Sequence, residues 1–102
     1  MIDLIQQRKR EVESLCRRYG VRSLEVFGSA AVESFDPLRS DLDFLVDFLP
    51  LAPGQPFAFY FGLLEDLRSL FRRRVDLVVK GAIKDRAFQE SVDRSRQVIY
   101  AA

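Results

Sequence analysis

The stretch Asp41-Leu42-Asp43-Phe44-Leu45-Val46 decides how this chain folds. Its second half is continuously apolar, as in a strand buried on both faces. Asp41 and Asp43, two apart on such a strand, share one face. Upstream, Leu24-Glu25-Val26-Phe27 reads as a short strand that runs directly into Gly28-Ser29. Downstream, Val75-Asp76-Leu77-Val78-Val79 is dense in β-branched residues and reads as a third strand. The link from Phe27 to Asp41 is too short for a regular crossover helix, so the first two strands are expected to run antiparallel. Between the second and third lies an amphipathic helix over 57–71, marked by Tyr60, Leu63, Leu64, Leu67, Leu70 and Phe71. That is a parallel crossover. The Gly-Ser turn and three carboxylates are thereby expected at one edge of the sheet.

The rest of the chain fits around this core. Ile5, Val12, Leu15, Cys16 and Tyr19 recur at helical spacing over 3–19, and Gly20 supplies a stop. A short helical or irregular stretch to about Phe35 ends at Asp36-Pro37. Pro50, Pro53, Gly54 and Pro56 mark a loop, a last helix is expected over 85–94, and Val98-Ile99-Tyr100 can close with a short strand. No repeat or linker divides the chain, so 1–102 is expected to be one α/β domain, a small mixed sheet with helices packed on it.

Composition narrows the chemistry. In 102 residues there is no His and one Cys, which excludes His acid–base catalysis, His-ligated metals, an internal disulfide and multi-cysteine clusters. Cys16 is expected to be a small buried hydrophobe. Charged residues make up 30% of the chain yet leave a net charge of +1, so no general positive field is offered to nucleic acid or a membrane surface. The start of the chain is not expected to be a signal peptide, because it lacks a basic start followed by an apolar stretch, and no apolar run approaches the ~20 residues of a membrane span. A cytoplasmic protein is expected.

What remains is carboxylate chemistry. Two carboxylates on one strand face repel unless a cation neutralises them, and an all-oxygen set suits Mg²⁺ or Mn²⁺. The plainer reading of Asp41 and Asp43 is a solvated pair. Asp76 lies inside an apolar strand, where a buried carboxylate needs a partner. That partner is a metal ion, or else Arg72, Arg73, Arg74 or Lys80. Gly28-Ser29 permits close backbone approach, and its hydroxyl and amides can hold phosphate oxygens; alone, it would be a simple turn with Ser29 as N-cap.

Taken together, Gly28-Ser29, Asp41-Leu42-Asp43-Phe44-Leu45-Val46 and Val75-Asp76-Leu77-Val78 resemble the DNA polymerase β-type nucleotidyltransferase superfamily. The short length resembles its minimal nucleotidyltransferases (MNT), the antitoxins of HEPN/MNT toxin–antitoxin pairs. The resemblance implies the polymerase β-like fold. It implies a nucleotide-binding role for Gly28 and Ser29, and metal-binding and catalytic roles for Asp41, Asp43 and Asp76, with two Mg²⁺ ions and ATP as donor. It further implies transfer of AMP to a tyrosine of a partner HEPN ribonuclease toxin. A hetero-oligomer with the toxin is expected, with a homodimer as the state of the chain alone, and no direct nucleic-acid or membrane contact. The chain departs from the family turn, commonly Gly-Ser-x-Ala-Arg-Gly, with Val32 and Glu33 in the last two places. A cation near the phosphates is then either missing or supplied by Arg39 or another Arg. The alternatives are an antitoxin that works by binding alone and a nucleotidyltransferase for a small molecule such as an aminoglycoside.

Two further features are singled out. Arg72-Arg73-Arg74 closes the 57–71 helix, where cations meet the negative end of its dipole. Phe48, Leu49, Leu51, Phe57, Phe59, Tyr60 and Phe61 exceed what helix packing needs, so some can form an apolar partner surface.

Overall fold

The computed structural model describes residues 2–31 and 41–102. The departure at Val32 and Glu33, together with Arg39 and the Asp36-Pro37 break, lies outside the described residues. In chain order the elements are α1 (Asp3–Gln7), α2 (Lys9–Arg18), β1 (Val21–Phe27), a 3-10 turn (Gly28–Ala30), β2 (Leu42–Phe48), α3 (Gln55–Phe71), β3 (Val75–Val79), α4 (Arg86–Ser95) and β4 (Gln97–Ala101).

The strands form one sheet in the order β3-β2-β1-β4. β1 runs antiparallel to β2 and to β4, while β2 and β3 are parallel. The expected connections therefore hold, and the closing strand is real. Alternation along β2 sorts its side chains by face. Leu42, Phe44 and Val46 join Leu24, Val26 and Leu77 in the main core, with Val12 and Cys16 of α2 and Leu63, Leu67 and Phe71 of α3. On the opposite face Phe27 and Leu45 form a smaller cluster with Val92 of α4. One face thus carries the large helices, and the other carries α4.

Two elements differ from their expected form. The single helix expected over 3–19 is two, stepping at Arg8, whose amide donates to Ile5 O at 3.1 Å in a tightened turn. The stretch holds no Gly or Pro, so nothing in it announces the step. α3 begins at Gln55 rather than 57, because Pro56 sits in its first turn, where a missing N–H costs no hydrogen bond. Gly54 precedes it at φ 87°. As expected, Cys16 is buried, and burial pushes its thiol up to about 12. Among the described residues no helix is long and apolar enough to cross a membrane.

Candidate active site

Strand register builds the site. Phe27 pairs with Asp43 across β1–β2, and Asp43 pairs with Asp76 across β2–β3. The last residue of β1, the second of β2 and the second of β3 therefore stand in one row. This row lies on the face that carries α4, where Phe27 and Leu45 pack against Val92. Asp41 stands just before β2, and Leu42 N beside it bonds Arg74 O of the strand-three approach at 3.1 Å.

Gly28 turns the chain away immediately above Asp43. Its φ of 70° is costly for any residue with a Cβ, and such an atom would sit 2.8 Å from Asp43 Oδ2. Glycine here leaves the carboxylate room. The turn is fixed by contacts from distant parts of the chain. Gly28 N donates to Ser95 Oγ at 2.9 Å, Gln97 Nε2 donates to Ala31 O at 2.9 Å, and Ile2 N donates to Ala30 O at 3.2 Å. The Gly28 amide is thus taken within the protein. Ser29 is half-buried on the turn, and its hydroxyl has no partner among the described residues.

Electrostatically the site is one of crowded like charge. Asp43 is raised to about 6, first because burial strips water from its charged form. A hydrogen bond to Asp76 and the negative charges of Asp76 and Asp41 add to the effect. Asp76 itself is exposed, which corrects its expected burial. Among the described residues no three potential ligands close into a ready metal cage. The donor set nevertheless fits a hard divalent cation. It is all oxygen, it brings Asp43 and Asp76 into direct contact with Asp41's charge close by, and a glycine keeps the approach open.

Beside the carboxylates a cleft of about 430 Å³ wraps the open edge of β3. Phe27, Asp43, Asp76, Val78 and Phe88 line one side, and Tyr60, Leu64 and Arg68 of α3 line the other. Phe88 meets Phe27 edge-to-face at 6.0 Å. Tyr60 Oη donates to Leu77 O at 2.5 Å, and Arg68 Nη2 reaches Val75 O at 3.5 Å, so α3 covers carbonyls of the edge strand. The expected acids and Gly-Ser turn come together here, with Asp43 beside Asp76 beneath Gly28 and Asp41's charge acting on Asp43. Ser95, Gln97, Phe88 and Arg68, which the sequence did not single out, also reach the site from far along the chain, and no local motif marks them.

The nucleotidyltransferase domain model matches residues 8–99. A Methanocaldococcus jannaschii protein named as a protein adenylyltransferase is 33% identical over 91 residues, covering 89% of this chain and 86% of that protein. A solved structure described as a minimal nucleotidyltransferase superposes with a TM-score of 0.71 at 33% identity, covering 94% of this chain and 95% of the other. The complex of a tri-AMPylated Shewanella oneidensis HEPN toxin with its MNT antitoxin shares the fold, with a TM-score of 0.64 at 17% identity over 95% of this chain and 72% of the other. With the match spanning the carboxylate row and the turn above it, the chain belongs to the nucleotidyltransferase domain family.

Proposed function

We propose that this nucleotidyltransferase is a Mg²⁺-dependent protein adenylyltransferase that acts as an antitoxin. It transfers AMP from ATP to a tyrosine hydroxyl of a partner HEPN ribonuclease toxin. One observation carries the chemistry: Asp43 and Asp76 stand side by side in register beneath Gly28, with Asp41 close enough to act on Asp43 through its charge. The relatives support the acceptor class, since one is named as a protein adenylyltransferase and another is an antitoxin bound to an AMPylated toxin.

Asp41, Asp43 and Asp76 would hold the metal, which when bound offsets their mutual repulsion and polarises the phosphates. The Gly28–Ser29 turn admits the nucleotide without a side chain to block it, and the Ser29 hydroxyl is available to a phosphate oxygen. The acceptor oxygen forms a bond to the α-phosphorus as the bond to the β-phosphate oxygen breaks, and pyrophosphate leaves. Asp76, exposed at the open edge, would take the acceptor's proton. The reaction needs no covalent intermediate, which suits a chain without His whose Cys16 is buried and inert.

The test is to incubate the chain with ATP, Mg²⁺ and a co-purifying or genetically adjacent HEPN protein, then weigh both by intact mass spectrometry. The partner is expected to gain AMP on tyrosine, and Asp41→Asn with Asp43→Asn is expected to abolish the gain. If the partner is silenced without an adduct, and equally by the double variant, inhibition works by binding alone and the catalytic reading falls.

A further inference from the structure

The cleft beside the carboxylates is electrostatically one-sided. Asp43 and Asp76 line it, Asp41 adds charge to Asp43, and the rest of its wall is mostly apolar or aromatic. A polyphosphate entering there carries its own negative charge past those acids. Among the described lining residues one cation is present, Arg68, in the last turns of α3. It comes from α3, on the other side of the β3 edge from the acids.

Arg68 is weakly engaged where it stands. Its Nη1 lies 3.9 Å from Glu65 Oε1, in a pair with side chains 47% and 72% exposed. Such a pair is worth little in water. Its other contact, Nη2 to Val75 O at 3.5 Å, is at the long limit for a hydrogen bond. Neither contact holds the guanidinium against a stronger ligand. Phosphate is such a ligand, because two parallel N–H groups of arginine match two of its oxygens. The same strand, β3, carries both the Val75 carbonyl that Arg68 touches and the Asp76 carboxylate. The cation thus lines the same cleft as the acid row, and among the described residues its ion pair is to Glu65 and not to those acids.

We propose that Arg68 is a nucleotide-binding residue whose guanidinium takes the polyphosphate of a nucleoside triphosphate seated at the carboxylate row. This inference rests on the nucleotide reading given above. Arg68 leaves Glu65 and Val75 O when the triphosphate binds. It then balances the charge that collects on the departing phosphates as the bond to the α-phosphorus breaks. Tyr60, bonded to Leu77 O on the same edge, keeps that strand capped when Arg68 moves.

The test uses the whole chain with Mg²⁺, titrated calorimetrically with a non-hydrolysable ATP analogue and, separately, with AMP. Arg68→Gln keeps a polar N–H donor but removes the charge, and Arg68→Lys keeps the charge but loses the fork. Arg68→Gln is expected to bind the triphosphate analogue about tenfold more weakly, with AMP affinity and the ligand-free melting temperature unchanged, and Arg68→Lys to fall between. Equal affinity of wild type and Arg68→Gln for the analogue overturns the assignment. So does an equal loss for analogue and AMP accompanied by a lowered melting temperature, which would make Arg68 a strut of the β3 edge. A wild-type chain that binds no triphosphate at all overturns instead the nucleotide reading on which the assignment rests.

Discussion

At Gly28 two demands coincide: a backbone at φ 70°, and an Asp43 oxygen 2.8 Å from where a Cβ would stand. Gly28→Ala is therefore expected to destabilise by about 1–3 kcal/mol, the usual cost of forcing a side chain into a disfavoured backbone region. It should also displace the Asp43 carboxylate. Urea unfolding checks the first effect, and loss of the melting-temperature rise on adding Mg²⁺ checks the second. Asp43 carries its own pH signature. Its folded value is raised to about 6 above an ordinary 3.8, so the folded state holds the proton more tightly than the unfolded chain does. This contribution to stability is complete below pH 3.8 and is lost as pH rises through about 6. Without divalent ions, the melting temperature of wild type should fall over that window relative to Asp43→Asn. Divalent-ion affinity should run the other way, weakening as acid protonates the carboxylate below about 6. Calorimetric scans across pH, with and without Mg²⁺, read both trends.

Individual elements show why part of the architecture was legible and part was not. The short link after Phe27 and the helix over 57–71 dictate antiparallel and parallel pairing by geometry, and that pairing brings the acids to one edge. The step at Arg8 is not legible in this way, since Gln6, Gln7, Arg8 and Lys9 are all ordinary helix formers. Nor is the pairing of Gly28 with Ser95, 67 residues apart, which depends on how α4 lies across the sheet. Gly62 is a similar case, looking merely like a weak helix residue. In the fold it faces Tyr19, whose Cε1 would stand 2.5 Å from an added Cβ. The ring is held there by Tyr19 Oη donating to Asp66 Oδ2 at 2.5 Å. Glycine is what lets α2 and α3 approach. Gly62→Ala is expected to destabilise by about 1–2 kcal/mol, overpacking outweighing the gain in helix propensity of up to about 1 kcal/mol. In a Tyr19→Ala background the clash disappears and the same substitution should become stabilising. A double-mutant cycle in urea would show that change of sign; the same sign in both backgrounds would contradict it.

The whole molecule is asymmetric about its sheet. One face is buried under α2 and α3 with most of the core, whereas the face bearing the acid row has a cluster of Phe27, Leu45 and Val92 beneath α4. Polar contacts supplement that thin layer. Ser95 accepts from Gly28 N, and Arg96 Nε lies 3.4 Å from Glu25 Oε2. Glu25 is 9% exposed, and this oxygen accepts no hydrogen bond among the described residues, so the pair is ionic without being well aligned. A helix held by few apolar contacts opens at lower free energy than the strands it covers. The site thus sits on the side of the molecule that loosens first, and the Gly28 turn loosens with it because Ser95 is one of its anchors. Amide hydrogen exchange should show α4 and the 28–31 turn exchanging together, well ahead of β1 and β2. Arg96→Ala, which leaves Glu25 buried without a counter-charge, should speed both segments while leaving Leu24 and Val26 amides nearly unchanged. Mg²⁺ with a non-hydrolysable ATP analogue should slow both, since a ligand that binds only the closed form protects whatever must be closed to bind it. Exchange of α4 at the rate of the central strands, or protection of α4 without the turn, would show that the two faces of the sheet unfold as one and that Ser95 does not tie the helix to the site.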